Sequence, residues 1–189
     1  MNKFSTLSSY KSTQKGMTFL EVLIAVVILV TGILGAVALQ AVAKKSSFDS
    51  MQRSLASGLA QDIIERMRGN NSTVLNLYQV GSPFGGGDAE ADVNCSLLAS
   101  NCASGQIALY DLFEWEQSLI GSGTKYGESP VGGLVDGIGC ISVIGNSVTV
   151  AISWQGRTEL ADAATSLTGV ACGTSGNKRR QVVVNAFIL

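Results

Sequence analysis

The sequence predicts an α+β chain: one long N-terminal α-helix whose second half packs on a C-terminal antiparallel β-sheet. Three observations carry that expectation. From Val22 to Ala43, 22 residues run without a charge. Apolar residues then recur at spacings of three and four from Phe48 to Met67, the period of one helix face. The last third instead alternates apolar and small polar residues, as half-buried strands do.

The chain opens with a polar leader, Met1 to Gly16, that carries Lys3, Lys11 and Lys15 and no acid. A secretory signal places its basic residues, then its apolar region, then its cleavage site. Here Lys15-Gly16 precedes the apolar run, and Met17-Thr18-Phe19-Leu20-Glu21 stands between them. A helix of 22 residues is about 33 Å long, slightly more than a bilayer's hydrocarbon core. Glu21 sits at its leading edge, where a buried carboxylate is costly unless paired. The leader lysines fit a cytoplasmic N-terminus, although Lys44 and Lys45 on the other flank oppose that inference.

Beyond the apolar run, Phe48, Met51, Leu55, Leu59, Ile63 and Met67 form one stripe. Gln52, Arg53, Asp62, Glu65 and Arg66 fall on the other face. Gly69-Asn70-Asn71 is a stop signal. A helix from Met17 to Arg68 would be roughly 78 Å long, and the alternative is two helices hinged near Gly32 and Gly35.

Residues 70 to about 106 read as loop, including the glycine-rich Gly81-to-Asp88 stretch. No Gly-Lys-Ser/Thr follows those glycines, so a flexible connection is favoured over a phosphate cradle. Asp111 and Glu114 have the spacing of a helix cap, predicting a short helix from Leu112 to Ile120 with Trp115 as a core anchor. Gly121 to Gly139 reads as a second loop. Cys140–Ile144 and Ser147–Trp154 should form a hairpin around Gly145-Asn146, with Arg179–Leu189 as the final strand.

The stretch from Gly16 through Glu21 into the apolar run closely resembles the processing motif of type IV prepilins and pseudopilins. The match covers about 30 residues and combines a glycine, a glutamate five residues later and an uninterrupted apolar helix. Met17 departs from the family, which most often has Phe there. Ala38 stands where major pilins commonly have a helix-kinking proline, which implies less kinking here. The resemblance implies a pilin fold and cleavage between Gly16 and Met17 by prepilin peptidase, followed by N-methylation of Met17. It implies a role for Glu21 in assembly, opposite a cationic amine of its own or a neighbouring chain. The expected organisation is leader 1–16, transmembrane and assembly helix 17–44, amphipathic half 45–69 and periplasmic head 70–189.

The helix capped by Asp111, the Pro-Gly-Gly loop and the Gly-Cys strand look most like PilV-type minor pilins. That implies a minor pilin of the type IV pilus that helps initiate assembly and sits at or near the fibre tip. Its partners would be prepilin peptidase, other minor pilins, the major pilin, a tip adhesin and inner-membrane lipid. The alternative is a minor pseudopilin of a type II secretion system, whose helix and motif would look the same.

Four cysteines, at 95, 102, 140 and 172, all lie in the expected exported head. An even number in an oxidising compartment suggests two disulfides, and four cysteines allow three pairings. We expect Cys95–Cys102, closing a small loop, and Cys140–Cys172, tying the first sheet strand to the loop that enters the last. A zinc site would want Cys-x2-4-Cys spacing, and the chain has no histidine to complete a mixed set.

Without histidine the usual serine and cysteine triads are excluded. Asp88, Glu90 and Asp92 lack the rest of a calcium loop and read as a solvated acidic segment. Acids outnumber bases from Asn70 onward and the net charge is −1, which gives no basic stripe for nucleic acid. The expectation is therefore no enzyme, no cofactor and no metal. The chain reads as the substrate of an enzyme.

Overall fold

The computed structural model describes residues 16–97, 100–160 and 172–189. Of the leader expected over 1–16, only Gly16 falls among them. The chain divides into two compact units, Met1–Ala43 and Lys44–Leu189.

The first unit holds Gly16, Met17 and Thr18, outside any helix or strand, and then the start of helix α1, which runs Phe19–Gly69. The hinged alternative is thereby set aside, since Gly32 and Gly35 lie within α1. By length and composition α1 can cross a membrane, and its apolar 18-residue window has no buried residue.

The second unit is α+β. After α1 come a 3-10 helix over Ser72–Gln79, helix α2 (Ser104–Ile120) and a two-residue hairpin of β1 (Lys125–Tyr126) and β2 (Ser129–Pro130). Strands β3 (Ile138–Ile144), β4 (Ser147–Gln155) and β5 (Arg179–Phe187) form an antiparallel sheet in the order β3-β4-β5. Cys140 pairs with Ala151 and Ala151 with Val183, which fixes the register across all three. Val148, Val150 and Ile152 of β4, at alternate positions, are wholly buried in a core shared with Ile63 of α1 and Trp115 of α2. Trp115 packs edge-on to Phe84, with centroids 5.7 Å apart, and its indole N–H donates to the Leu59 carbonyl at 2.8 Å. Its ring lies directly on β3 at Gly139. A Cβ there would stand 2.4 Å from a ring carbon, so only glycine admits the indole.

Three local expectations need correction. The buried face of α1 is turned from the expected stripe: Gln52 and Ala56 are buried, whereas Met51 is 57% exposed. Gln52 escapes the polar face because its amide closes a loop. Its Nε2 donates to the Gly133 carbonyl at 3.4 Å, and its Oε1 accepts the Val135 N–H at 2.9 Å. The expected loop over 70–106 contains the 3-10 helix and the first turn of α2.

Asp111 lies inside α2 and does not cap it. Ala103 occupies the cap position, and its N–H is taken by Gln106 Oε1 at 2.9 Å, which starts the helix without a capping side chain. Asp111 is instead occupied by a tertiary contact described below. Gly121, at φ 72°, ends α2 in the left-handed conformation, with the backbone of Gly133 against it.

The two edges of the sheet differ. Along β3, the N–H of Gly139 and Phe84 exchange hydrogen bonds with each other's carbonyls at 2.8 and 2.7 Å. The N–H of Ile141 donates to Ser82 Oγ at 3.3 Å, and that of Val143 to Gln79 Oε1 at 3.1 Å. That edge is closed. Along β5, the Ile188 N–H to Asn146 bond sets the alternation, so even-numbered residues face β4 and odd-numbered ones face outward. The outward backbone groups of Val183, Asn185 and Phe187 have no partner among the described residues.

Candidate functional site

The N-terminal motif comes first. Gly16 and Met17 are exposed and lie outside any regular element, just before α1. A Cβ built on Gly16 meets nothing within 4 Å, so nothing among the described residues requires glycine there. Thr18 caps α1. The N–H of Glu21 donates to Thr18 Oγ1 at 3.3 Å and to the Thr18 carbonyl at 3.1 Å. Thr18 and Glu21 thus have the T-x-x-E spacing of a capping box, a signal the sequence carried and our reading passed over.

Glu21 therefore stands in the first turn, where unpaired N–H groups and the helix dipole favour an anion. Its side chain has no partner among the described residues and is exposed on a helix that is apolar all round. An unpaired carboxylate on an apolar helix end is suited to receive a cation from elsewhere.

Several polar groups of the second unit are, by contrast, engaged with one another. Arg66 reaches Glu114 at 2.8 Å, Asp62 at 3.0 Å and Asp111 at 3.2 Å. Burial alone lowers the Arg66 pKa, but these three carboxylates outweigh it and hold the guanidinium above its ordinary value. Tyr78 donates to Asp111 Oδ2 at 2.6 Å and accepts from Asn70 Nδ2 at 3.0 Å. Burial, then the bond to Asp111, raises the Tyr78 pKa above the usual phenol value and keeps the hydroxyl neutral. Asn70 also donates to the Ser104 carbonyl at 2.9 Å. The network fastens the end of α1 to the 3-10 helix and to α2.

Glu116 explains the glycine-rich loop. It is 2% exposed, and its carboxylate accepts the N–H of Gly85 at 2.6 Å, of Gly87 at 3.1 Å and of Ala89 at 2.6 Å. The backbone amides that a bound phosphate would need are already taken by the chain's own anion. Glu116 is thus a loop anchor. Among the described residues no cluster of three or more metal-ligating side chains occurs.

The cysteines form Cys95–Cys102, with Cα atoms 5.9 Å apart, and Cys140–Cys172, at 5.8 Å. The second bridge lies on the sheet face away from the main core, packed with Ala151 and half-buried Val183. It ties β3 to the segment that leads into β5. Arg179, buried, donates to the Cys172 carbonyl at 3.1 Å and holds that segment down.

Residues 11–37 match the family model described as the prokaryotic N-terminal methylation motif. Residues 38–113 match the model described as type IV pilin Tt1218, Tt1218-like. No curated protein and no solved structure matches the chain. The two family matches, together with the apolar N-terminal helix, support a type IV pilin, and the motif and helix are consistent with a membrane-anchored one. Such a protein is structural.

Proposed function

We propose that this chain is a minor pilin of the type IV pilus, of the PilV type. It is made with a leader that prepilin peptidase removes between Gly16 and Met17, and the new Met17 amine is methylated. Before assembly, residues 17–44 hold it in the inner membrane with the head, 70–189, in the periplasm. It then leaves the bilayer to join other minor pilins and the major pilin, and helps initiate a fibre at whose tip, beneath an adhesin, it sits.

The observation that carries this reading is the Glu21 carboxylate, unpartnered in the first turn of an apolar helix and preceded by an exposed Gly16-Met17 bond. Cleavage there creates an α-amine with a reference pKa near 8, cationic at neutral pH. In apolar surroundings that amine and Glu21 neutralise one another, within a chain or between neighbours, and so set the register of packed helices. The exposure of residues 16–18 supports access by a peptidase, and the open space about Gly16 agrees with a glycine kept for that peptidase rather than for packing.

Mass spectrometry of the intact N-terminus, on protein from its native cells, tests the processing step. A chain that begins at Met17 with one added methyl is expected. A chain that begins at Met1, or is cut beyond Ala36, makes the segment an ordinary anchor or signal and removes the assembly mechanism with it. Gly16→Ala should block or slow maturation. Glu21→Gln should abolish piliation while the head stays folded, and unchanged piliation would remove Glu21 from the mechanism.

A further inference from the structure

Ser46, Asp49, Ser50 and Arg53 lie at i, i+3, i+4 and i+7 of α1, on one helix face. Together with Thr158 and Arg180 across from them, they line a groove of about 450 Å³ that lies wholly within the Lys44–Leu189 unit. The Asp49 carboxylate is already satisfied: it accepts the Arg157 N–H at 3.0 Å and the Thr158 hydroxyl at 2.9 Å.

The two arginines are not satisfied in the same sense. Arg180 donates to the Thr158 carbonyl and hydroxyl at 2.5 and 3.1 Å and to the Arg179 carbonyl at 3.3 Å, all neutral acceptors, and its positive charge also acts on the Asp49 carboxylate. Arg53 donates to nothing, and neither arginine forms an ion pair among the described residues. Among the described residues two guanidinium groups and one carboxylate thus line the groove, which leaves it a net positive charge.

Where the groove lies tells what it would hold. Ser46 is three residues beyond Ala43, the last residue of the apolar run, so at most about 11 Å of chain separates them. Lys44 and Lys45 fill the interval, exposed and without ion pairs among the described residues. The headgroup layer extends about 5–8 Å beyond the hydrocarbon core on each side. Arg53 stands two turns beyond Ser46 on the same helix face. Guanidinium groups match phosphate oxygens in a bidentate fork.

We propose that, while the apolar segment sits in a bilayer, this groove and Lys44-Lys45 bind the phosphate of an anionic phospholipid headgroup. The proposal rests on the membrane-anchored state put forward above. It gives the subunit a lipid-bound resting state that ends when the helix leaves the membrane.

The test is native mass spectrometry of the full-length chain in neutral detergent micelles, titrated with phosphatidylglycerol or phosphatidylcholine. Phosphatidylglycerol should be retained well above phosphatidylcholine, and inorganic phosphate at equal concentration should not displace it. At roughly fivefold per surface cation, Arg53→Gln with Arg180→Gln should weaken retention about 25-fold. Arg53→Gln alone, which removes no hydrogen bond described above, should weaken it about fivefold and guards against misfolding of the double variant. Equal retention of the two lipids, undiminished retention in both variants, or displacement by inorganic phosphate overturns the proposal. Carbonate extraction of cell membranes tests the anchor separately. A protein released by carbonate breaks the anchored reading itself, whereas one that stays but shows no lipid preference breaks only this inference.

Discussion

The two stretches of α1, Phe19–Ala43 and Lys44–Gly69, share one backbone conformation and have opposite surroundings. In the first, Ile28 is 65% and Leu29 61% exposed; in the second, Ala56, Ala60, Ile63 and Met67 are wholly buried. The second stretch is amphipathic and finds its cover within the chain. The first is apolar on every side, so no single face of one head could cover it. An exposed apolar surface of that extent is not sustained in water and calls for lipid or other helices. What differs along the helix is whether the partner is encoded in the same chain.

That contrast can be broken most directly at Trp115. Trp115→Ala empties the centre of the core and should cost the second unit about 3–5 kcal/mol in chemical denaturation of the full chain in micelles. Glu116→Ala should follow, at about 2–4 kcal/mol, because three loop N–H groups lose their acceptor. Limited proteolysis would then show new cleavage between Gly85 and Ala89.

Tyr78→Phe should cost about 1–2 kcal/mol at neutral pH. Because burial and Asp111 raise the folded pKa of Tyr78, its contribution is present below pH 10 and is lost as the pH rises further. The Tyr78→Phe chain should therefore lose less stability than wild type above pH 10. At the other extreme, Ile28→Ala removes as much apolar side chain as many core truncations, yet should change head stability by less than about 0.5 kcal/mol. A large effect of Ile28→Ala on the head would mean that the first stretch is also covered from within.

Much of this was legible in the sequence, and the reasons are local. The apolar run, the Gly145-Asn146 turn and the alternation of Val148, Val150 and Ile152 are patterns whose period is set by backbone geometry alone. The start of α2 was not legible. Ser104-Gly105-Gln106 is a poor helix opening, and what nucleates it is a backbone bond to the Gln106 side chain. Asp111 has the residue type and spacing of a cap, but a tyrosine 33 positions away claims its carboxylate. Gln52 looked solvent-facing because its partners, Gly133 and Val135, are distant in sequence. The same holds for Glu116, whose pairing with the glycine loop depends on tertiary folding. At the N-terminus, the first-turn placement of Glu21 was within reach, since Thr18 stands three residues before it.

The unequal edges of the sheet bear on how copies of this chain can meet outside a fibre. Runaway strand pairing needs each molecule to offer two open edges, one to give and one to receive. Here Gln79, Ser82 and Phe84 shut the β3 side, and among the described residues Val183, Asn185 and Phe187 of β5 remain open. Two copies joined through β5 would use up the open edge of both, and a third would find nowhere to bind. Stray association through this sheet therefore terminates at a pair, a safeguard that matters most if α1 holds the chain in a bilayer and concentrates it in two dimensions.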